Sequence, residues 1–103
     1  MSKRYIDPPI FVYTMYLVRF DWDENNRMKM EAHGITPKEY EQAFLMRHVA
    51  EQKIVALERR KVALGKTEAG RVLILIYTIR RGKVRPITAY ESRKARAKWQ
   101  AEL

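Results

Sequence analysis

His33, with Lys29 four residues before it and the arginines Arg59, Arg71, Arg80, Arg85 and Arg93 spread behind it, has the residue types for one phosphate reaction. RNA can be cut without a metal because its 2′-hydroxyl can attack the adjacent phosphorus. That reaction needs a proton acceptor, a proton donor and cations that stabilise the charge growing on the phosphate. Histidine suits the proton steps near neutral pH, and arginine suits bidentate contact with phosphate oxygens. Tyr77 and Tyr90 have rings on which bases could stack, although Tyr77 lies in an apolar run and reads as core. Each residue also has a plainer reading. His33 before Gly34 makes a good helix ending, Lys29 a solvated helix position, and Arg80, Arg81 and Lys83 a soluble hairpin tip. Only the convergence of these groups points to nucleic acid.

Other chemistries find less support. His33 and His48 are not at metal-ligand spacing and the carboxylates form no paired cluster, so no metal or other cofactor is expected. Gly65-Lys66-Thr67 lacks the upstream glycine of a phosphate-cradling loop. Ser2 is terminal and Ser92 reads as a helix cap, which leaves no serine nucleophile. With no cysteine, disulfides and thiolate metal sites are excluded, and a reducing, cytoplasmic setting fits.

The charge agrees with a polyanionic partner. Twenty-one Lys and Arg stand against 12 acidic residues, a formal net charge of +9 with the positive excess concentrated after Lys53. On a chain of 103 residues, read as one domain over 1–103, that is a strong signal for nucleic acid, an acidic protein or a membrane surface. The apolar run Ile10 to Val18 follows Lys3 and Arg4 but leads into Arg19, Phe20 and Asp21, where a signal peptide would need small residues. It is also too short to span a bilayer, so no membrane partner is expected. Residues 1–16 read as an irregular leader or an extra strand, with a first strand over 10–22.

The elements that must position these groups centre on Arg71 to Tyr90. Val72 to Ile79 is apolar apart from Thr78 and reads as a strand covered on both faces and flanked by two antiparallel neighbours. Arg80-Arg81-Gly82-Lys83 makes the turn, and Val84 to Tyr90 the return strand, where Pro86 argues for an edge or a bulge. Upstream, Asp23 or Asn25 caps a helix to about Ala32, closed by His33-Gly34. Thr36-Pro37-Lys38-Glu39 is a capping box starting a second helix, whose stripe is Tyr40, Ala43, Phe44 and Val49. Strands at Ile54 to Glu58 and Arg60 to Leu64 follow, then a turn at Thr67 to Gly70. Ser92 caps a last helix that buries Ala95 and Trp99 and exposes Arg93, Lys94, Arg96 and Lys98. The expected fold is α+β: an antiparallel sheet of four to five strands, helices packed on one face, and a basic C-terminal helix. Arg80, Arg85 and Arg93 are expected on one positive surface.

At three places the sequence resembles the BrnT family of ribonuclease toxins. These are Phe20-Asp21-Trp22-Asp23-Glu24 with Asn26 and Lys29, running into His33-Gly34-Ile35-Thr36-Pro37-Lys38-Glu39; Leu64-Gly65-Lys66-Thr67-Glu68-Ala69-Gly70-Arg71 before the apolar strand; and Arg85-Pro86-Ile87-Thr88-Ala89-Tyr90 before the basic helix. Order and spacing match over roughly residues 20 to 100. The resemblance implies a RelE-like fold, endoribonuclease activity and neutralisation by a small DNA-binding antitoxin (BrnA-like) in a complex that regulates its own operon. It implies His33, Lys29, Arg59, Arg71 and Arg93 as the catalytic set. Arg80, Lys83, Arg85, Tyr90 and Arg96 complete the expected RNA contacts, and a homodimer is among the expected assemblies. Many members carry arginine after the Ser/Thr-Ala pair, where this chain has Tyr90. The competing reading is a silent basic module of the same fold that binds nucleic acid or protein without cutting.

Overall fold

The computed structural model describes residues 18–47, 49–55 and 58–101 of the chain. The leader through residue 17, where most of the expected first strand falls, and His48 lie outside the described residues.

Helix α1 (Glu24–Ala32) begins at Asp23, whose carboxylate accepts from the Asn26 N–H while the Asn26 side chain accepts from the Asp23 N–H. This reciprocal cap satisfies two donors that the first turn leaves open. The helix ends as the glycine predicts. Gly34 takes φ 70°, its N–H bonds the Glu31 carbonyl, and Ile35 N–H reaches back to the Met30 carbonyl. That is a Schellman closure, and its two hydrophobic ends, Met30 and Ile35, are both buried. Helix α2 (Pro37–Leu45) starts from the Thr36/Glu39 capping box with proline in its first turn. It buries Tyr40, Ala43 and Phe44. Val49 is not on this helix: α2 stops at Leu45, and Val49 opens strand β1 (Val49–Val55). The strand therefore starts five residues earlier than the sequence suggested, and Glu58-Arg59 belong to β2 (Glu58–Lys66) instead of joining two strands.

Strands β1, β2, β3 (Val72–Arg80) and β4 (Lys83–Tyr90) form one antiparallel sheet in the order β1-β2-β3-β4, so the apolar β3 lies between β2 and β4 as its composition requires. The β3–β4 turn has Arg81 at φ 54° and Gly82 at φ 75°, the two successive left-handed residues that a tight two-residue hairpin demands. Next to Pro86 the register shifts: Ile76 faces Thr88 but Tyr77 faces Pro86, which leaves Ile87 as an extra residue. On the outer side of β4, Phe20 makes a parallel bridge to Val84, with Asp21 N–H to the Val84 carbonyl and Val84 N–H to the Arg19 carbonyl, both 2.8 Å.

Successive strand residues point to opposite faces. Ala63, Leu73, Leu75, Tyr77, Val84 and Ala89 pack with Met30, Ile35, Tyr40 and Phe44 beneath α1 and α2. Leu64, Val72 and Ile74 point the other way, onto Ala95 and Trp99 of helix α3 (Arg93–Ala101). Helices on one face thus holds for α1 and α2 and fails for α3. The cause is β3 itself: a strand apolar on both faces needs a second cover, and α3 supplies it. On the two-helix face, Gly65 marks the closest approach. A methyl group there would sit 2.0 Å from the Ala43 carbonyl oxygen, so only glycine lets α2 lie this near β2.

Candidate functional site

The β3–β4 hairpin has an open end, where β3 begins and β4 finishes, and a turn end at Arg81-Gly82. The candidate residues divide between them.

At the open end, the α1 closure fixes the His33 backbone and leaves its side chain exposed. Tyr90, the last residue of β4, is 38% exposed, and its ring lies 6.2 Å from the His33 ring, centroid to centroid, at a 44° tilt. Arg71 enters beside them. Its backbone is held by the buried Thr67, whose hydroxyl accepts from Arg71 N–H at 3.0 Å while Thr67 N–H bonds the Arg71 carbonyl at 2.9 Å. Its guanidinium then spans three segments. Nη1 donates to the Gly34 carbonyl at 3.1 Å and to Glu39 Oε2 at 2.8 Å, and Nη2 donates to Glu91 Oε1 at 2.8 Å. Glu39 uses its other oxygen to accept from Thr36 N–H, so one carboxylate joins the α2 cap to Arg71.

The electrostatics follow from these bonds. Glu39 is held below the usual carboxylate range, first by the Thr36 N–H and then by Arg71. Glu91 is held below it chiefly by the hydrogen bond from Arg71. The same two carboxylates raise the Arg71 pKa further, so the guanidinium stays charged at every accessible pH. One cation between two anions leaves this trio with a local charge of minus one.

Glu91 leads directly to Ser92, whose hydroxyl accepts from Ala95 N–H at 2.9 Å and starts α3. Arg93 and Arg96 are exposed there and line a groove with Val72, Glu91 and Gln100. Arg96 is near enough to Glu91 to help keep it ionised. Lys29 is exposed on α1, one turn before His33.

The remaining candidates lie elsewhere. Arg80 and Lys83 are paired across the hairpin turn and exposed. Arg59 is level with Thr78, whose hydroxyl donates to its carbonyl at 2.9 Å. Seven strand residues separate Arg71 from Thr78, roughly 23 Å at about 3.3 Å per residue. Arg59 and Arg71 therefore cannot grip the same phosphate. Arg85 sits near the turn end in a fork of acids, with Nη1 to Asp21 at 3.3 Å and Nη2 to Asp23 at 2.5 Å. Asp23 is kept below the usual carboxylate range by the Asn26 N–H and then by Arg85. The expected single positive surface of Arg80, Arg85 and Arg93 does not form: Arg85 is neutralised, and Arg93 lies beyond the opposite end of β4 from Arg80.

Three contributors went unread in the sequence. In the sequence Glu39 reads only as a cap, and Glu91 and Asp21 have no legible role of their own. Buried Asn26 also does more than cap. It donates to the carbonyls of Asp21 and Pro86, both at 3.0 Å, tying α1 to β4 and so setting His33 against Tyr90. A lone acid after a strand gives no local signal of its partner, and Arg71 to Glu91 is a contact across 20 positions.

Among the described residues no helix is long and apolar enough to cross a membrane. A comparison with protein-family models matches residues 22–97 to the ribonuclease toxin BrnT of type II toxin-antitoxin systems. A comparison with curated proteins gives no match.

Proposed function

The chain belongs to the BrnT family of ribonuclease toxins from type II toxin-antitoxin systems, which implies an antitoxin protein as partner, and from that premise we propose that it is a metal-independent endoribonuclease acting at the open end of the hairpin. The observation that carries this reading is the juxtaposition of exposed His33 and Tyr90, braced by Arg71 and flanked by Arg93, Arg96 and Lys29. In the reaction the 2′-hydroxyl loses its proton to solvent water, its oxygen bonds to phosphorus, and the bond from phosphorus to the 5′-oxygen breaks. His33 donates the proton that the departing 5′-oxygen requires, so the products are a 2′,3′-cyclic phosphate and a 5′-hydroxyl. A base stacks on Tyr90, and Arg93, Arg96 and Lys29 meet the phosphates on either side. Arg80 and Lys83, at the far end, act as distal contacts for a longer RNA. The setting is cytoplasmic, the fold is of the RelE type, and the antitoxin is a small BrnA-like DNA-binding protein that covers the basic surface. Two copies of the toxin can meet as a homodimer within such a complex.

The test is cleavage of a short end-labelled RNA by wild type and His33→Asn, with a chelator present and both proteins shown to be folded. Wild-type cutting to cyclic-phosphate ends, lost in His33→Asn, supports the reading. One observation favours the silent binding module: Arg71, which reaches the Gly34 carbonyl next to His33, already holds two carboxylates. Salt-sensitive RNA binding with no cutting by wild type would establish that alternative.

A further inference from the structure

Arg71 is among the residues that the family resemblance assigns to the reaction, and its surroundings contradict a direct role on phosphate. Its side chain is 27% exposed, and three of its five N–H groups are already used, on the Gly34 carbonyl, Glu39 and Glu91. A phosphate arriving there meets a trio of net charge minus one, whose two 2.8 Å charge-assisted contacts to carboxylates compete with any contact it would make. What the guanidinium joins is more informative. Gly34 follows His33 directly, Glu91 follows Tyr90 directly, and Glu39 anchors the first turn of α2.

We propose that Arg71 is a positioning residue: with Glu39 and Glu91 it clasps the Gly34 turn to the end of β4, so that the His33 imidazole and the Tyr90 ring are held beside each other, 6.2 Å between centroids. This rests on the endoribonuclease reading and gives the arginine a different task within it. The clasp needs a planar fork that reaches three acceptors in two directions, which lysine lacks. A direct phosphate ligand would also lose its bidentate contact in lysine, so the ring contact in RNA-free protein and the salt slope, beside kcat, separate the two roles.

The test uses the full chain and the variants Arg71→Lys, Arg71→Gln and Glu91→Gln, assayed at a temperature where thermal scans show all of them folded. Kinetics on a short RNA, the salt dependence of RNA affinity and the nuclear Overhauser contact between the His33 and Tyr90 rings in RNA-free protein are the readouts. With a displaced acid and platform, Arg71→Lys is expected to lower kcat about tenfold to hundredfold while KM stays near the wild-type value. Glu91→Gln is expected to lower kcat in the same direction by less, and the ring contact should weaken in both. The proposal is overturned if Arg71→Lys keeps the wild-type kcat, or if Glu91→Gln, by freeing the arginine, raises kcat and tightens RNA. A salt slope shallower by about 0.7 in Arg71→Gln, the signature of one lost phosphate contact on a single strand, overturns it too. Should the wild type bind RNA and never cut it, the endoribonuclease reading falls. The ring contact in wild type and its loss in Arg71→Lys then still decide for or against the clasp.

Discussion

The two ends of the β3–β4 hairpin use the same residue type in opposite ways. At the open end, Arg71 is fixed between two carboxylates and a carbonyl from three separate segments. At the turn end, Arg80, Arg81 and Lys83 are exposed around Gly82, with no acid in the turn itself. A few residues from that tip, Arg85 is again held by acids. The formal charge of +9 counts all of these equally, yet a polyanion would meet them very differently. An arginine that has internal partners contributes shape, and an exposed one contributes attraction. Net charge therefore does not say where a polyanion would meet the surface, while the surroundings of each arginine do.

Four measurements can break or sharpen that contrast. The largest effect is expected from Gly65→Ala, where the added methyl meets the Ala43 carbonyl and forces α2 off the sheet. About 3 kcal/mol of stability should be lost in urea unfolding, as for overpacking against rigid backbone. Because Glu39 travels with α2, the open end should suffer more than the tip, seen as greater loss of amide protection around Gly34 than around Gly82. Uniform loss at both ends would show that they are not independently held.

Next, His33→Asn should cut RNA at least about a hundredfold more slowly than wild type near pH 7, the usual contribution of a positioned acid. A wild-type rate across pH 5 to 8 would reduce His33 to a helix terminus and move the proton chemistry elsewhere. At the other end, Arg80→Glu with Lys83→Glu should weaken affinity for a long RNA and make its salt slope shallower by about 1.4, two single-strand phosphate contacts at about 0.7 each. Arg85→Gln, already neutralised by Asp21 and Asp23, should change that slope far less than the tip pair does. Equal changes would erase the distinction between the exposed tip and an arginine held between two carboxylates.

The smallest effect is on acid stability. Glu39 and Glu91 have folded-state pKa values below their ordinary value of 4.5. For a depressed carboxylate the stabilisation is complete above the unfolded pKa and is lost as pH falls through the folded one. Urea midpoints should thus hold from pH 7 down to about the ordinary carboxylate range and decline below it. Both groups are partly exposed, so salt should shrink the decline. A double Glu39→Gln, Glu91→Gln variant should start lower at pH 7 and decline less on acidification. An unchanged acid limb would mean that the open end is held together by something other than these charges.

Much of the frame could be read directly. The Thr36/Glu39 capping box, a cap near Asp23, the His33-Gly34 ending, the hairpin turn and the irregularity beside Pro86 all depend on contacts within a few residues, which sequence records locally. The face chosen by α3 was not read, although the two-sided apolarity of Val72 to Ile79 had stated that a second cover was needed. The start of β1 was missed because Val49-Ala50-Glu51-Gln52 has no alternation to separate it from the end of a helix. At the site, His33, Tyr90 and Arg71 were named and do assemble, whereas Glu39 and Glu91 were not seen as partners. Their role arises from pairing across 32 and 20 positions, and nothing in the identity of an isolated glutamate encodes it.

That spread along the chain has a consequence during synthesis. A ribosome delivers His33, Gly34 and Glu39 long before Arg71, and Arg71 long before Glu91, so the guanidinium has two of its three acceptors until the return strand has emerged. Domains fold as units once their distant pieces are available. A growing or prematurely terminated chain lacking β4 has the histidine but neither Tyr90 nor the last anchor beside it. On the proposed mechanism, a chain at that stage cuts no RNA, and cleavage begins only once β4 has left the ribosome.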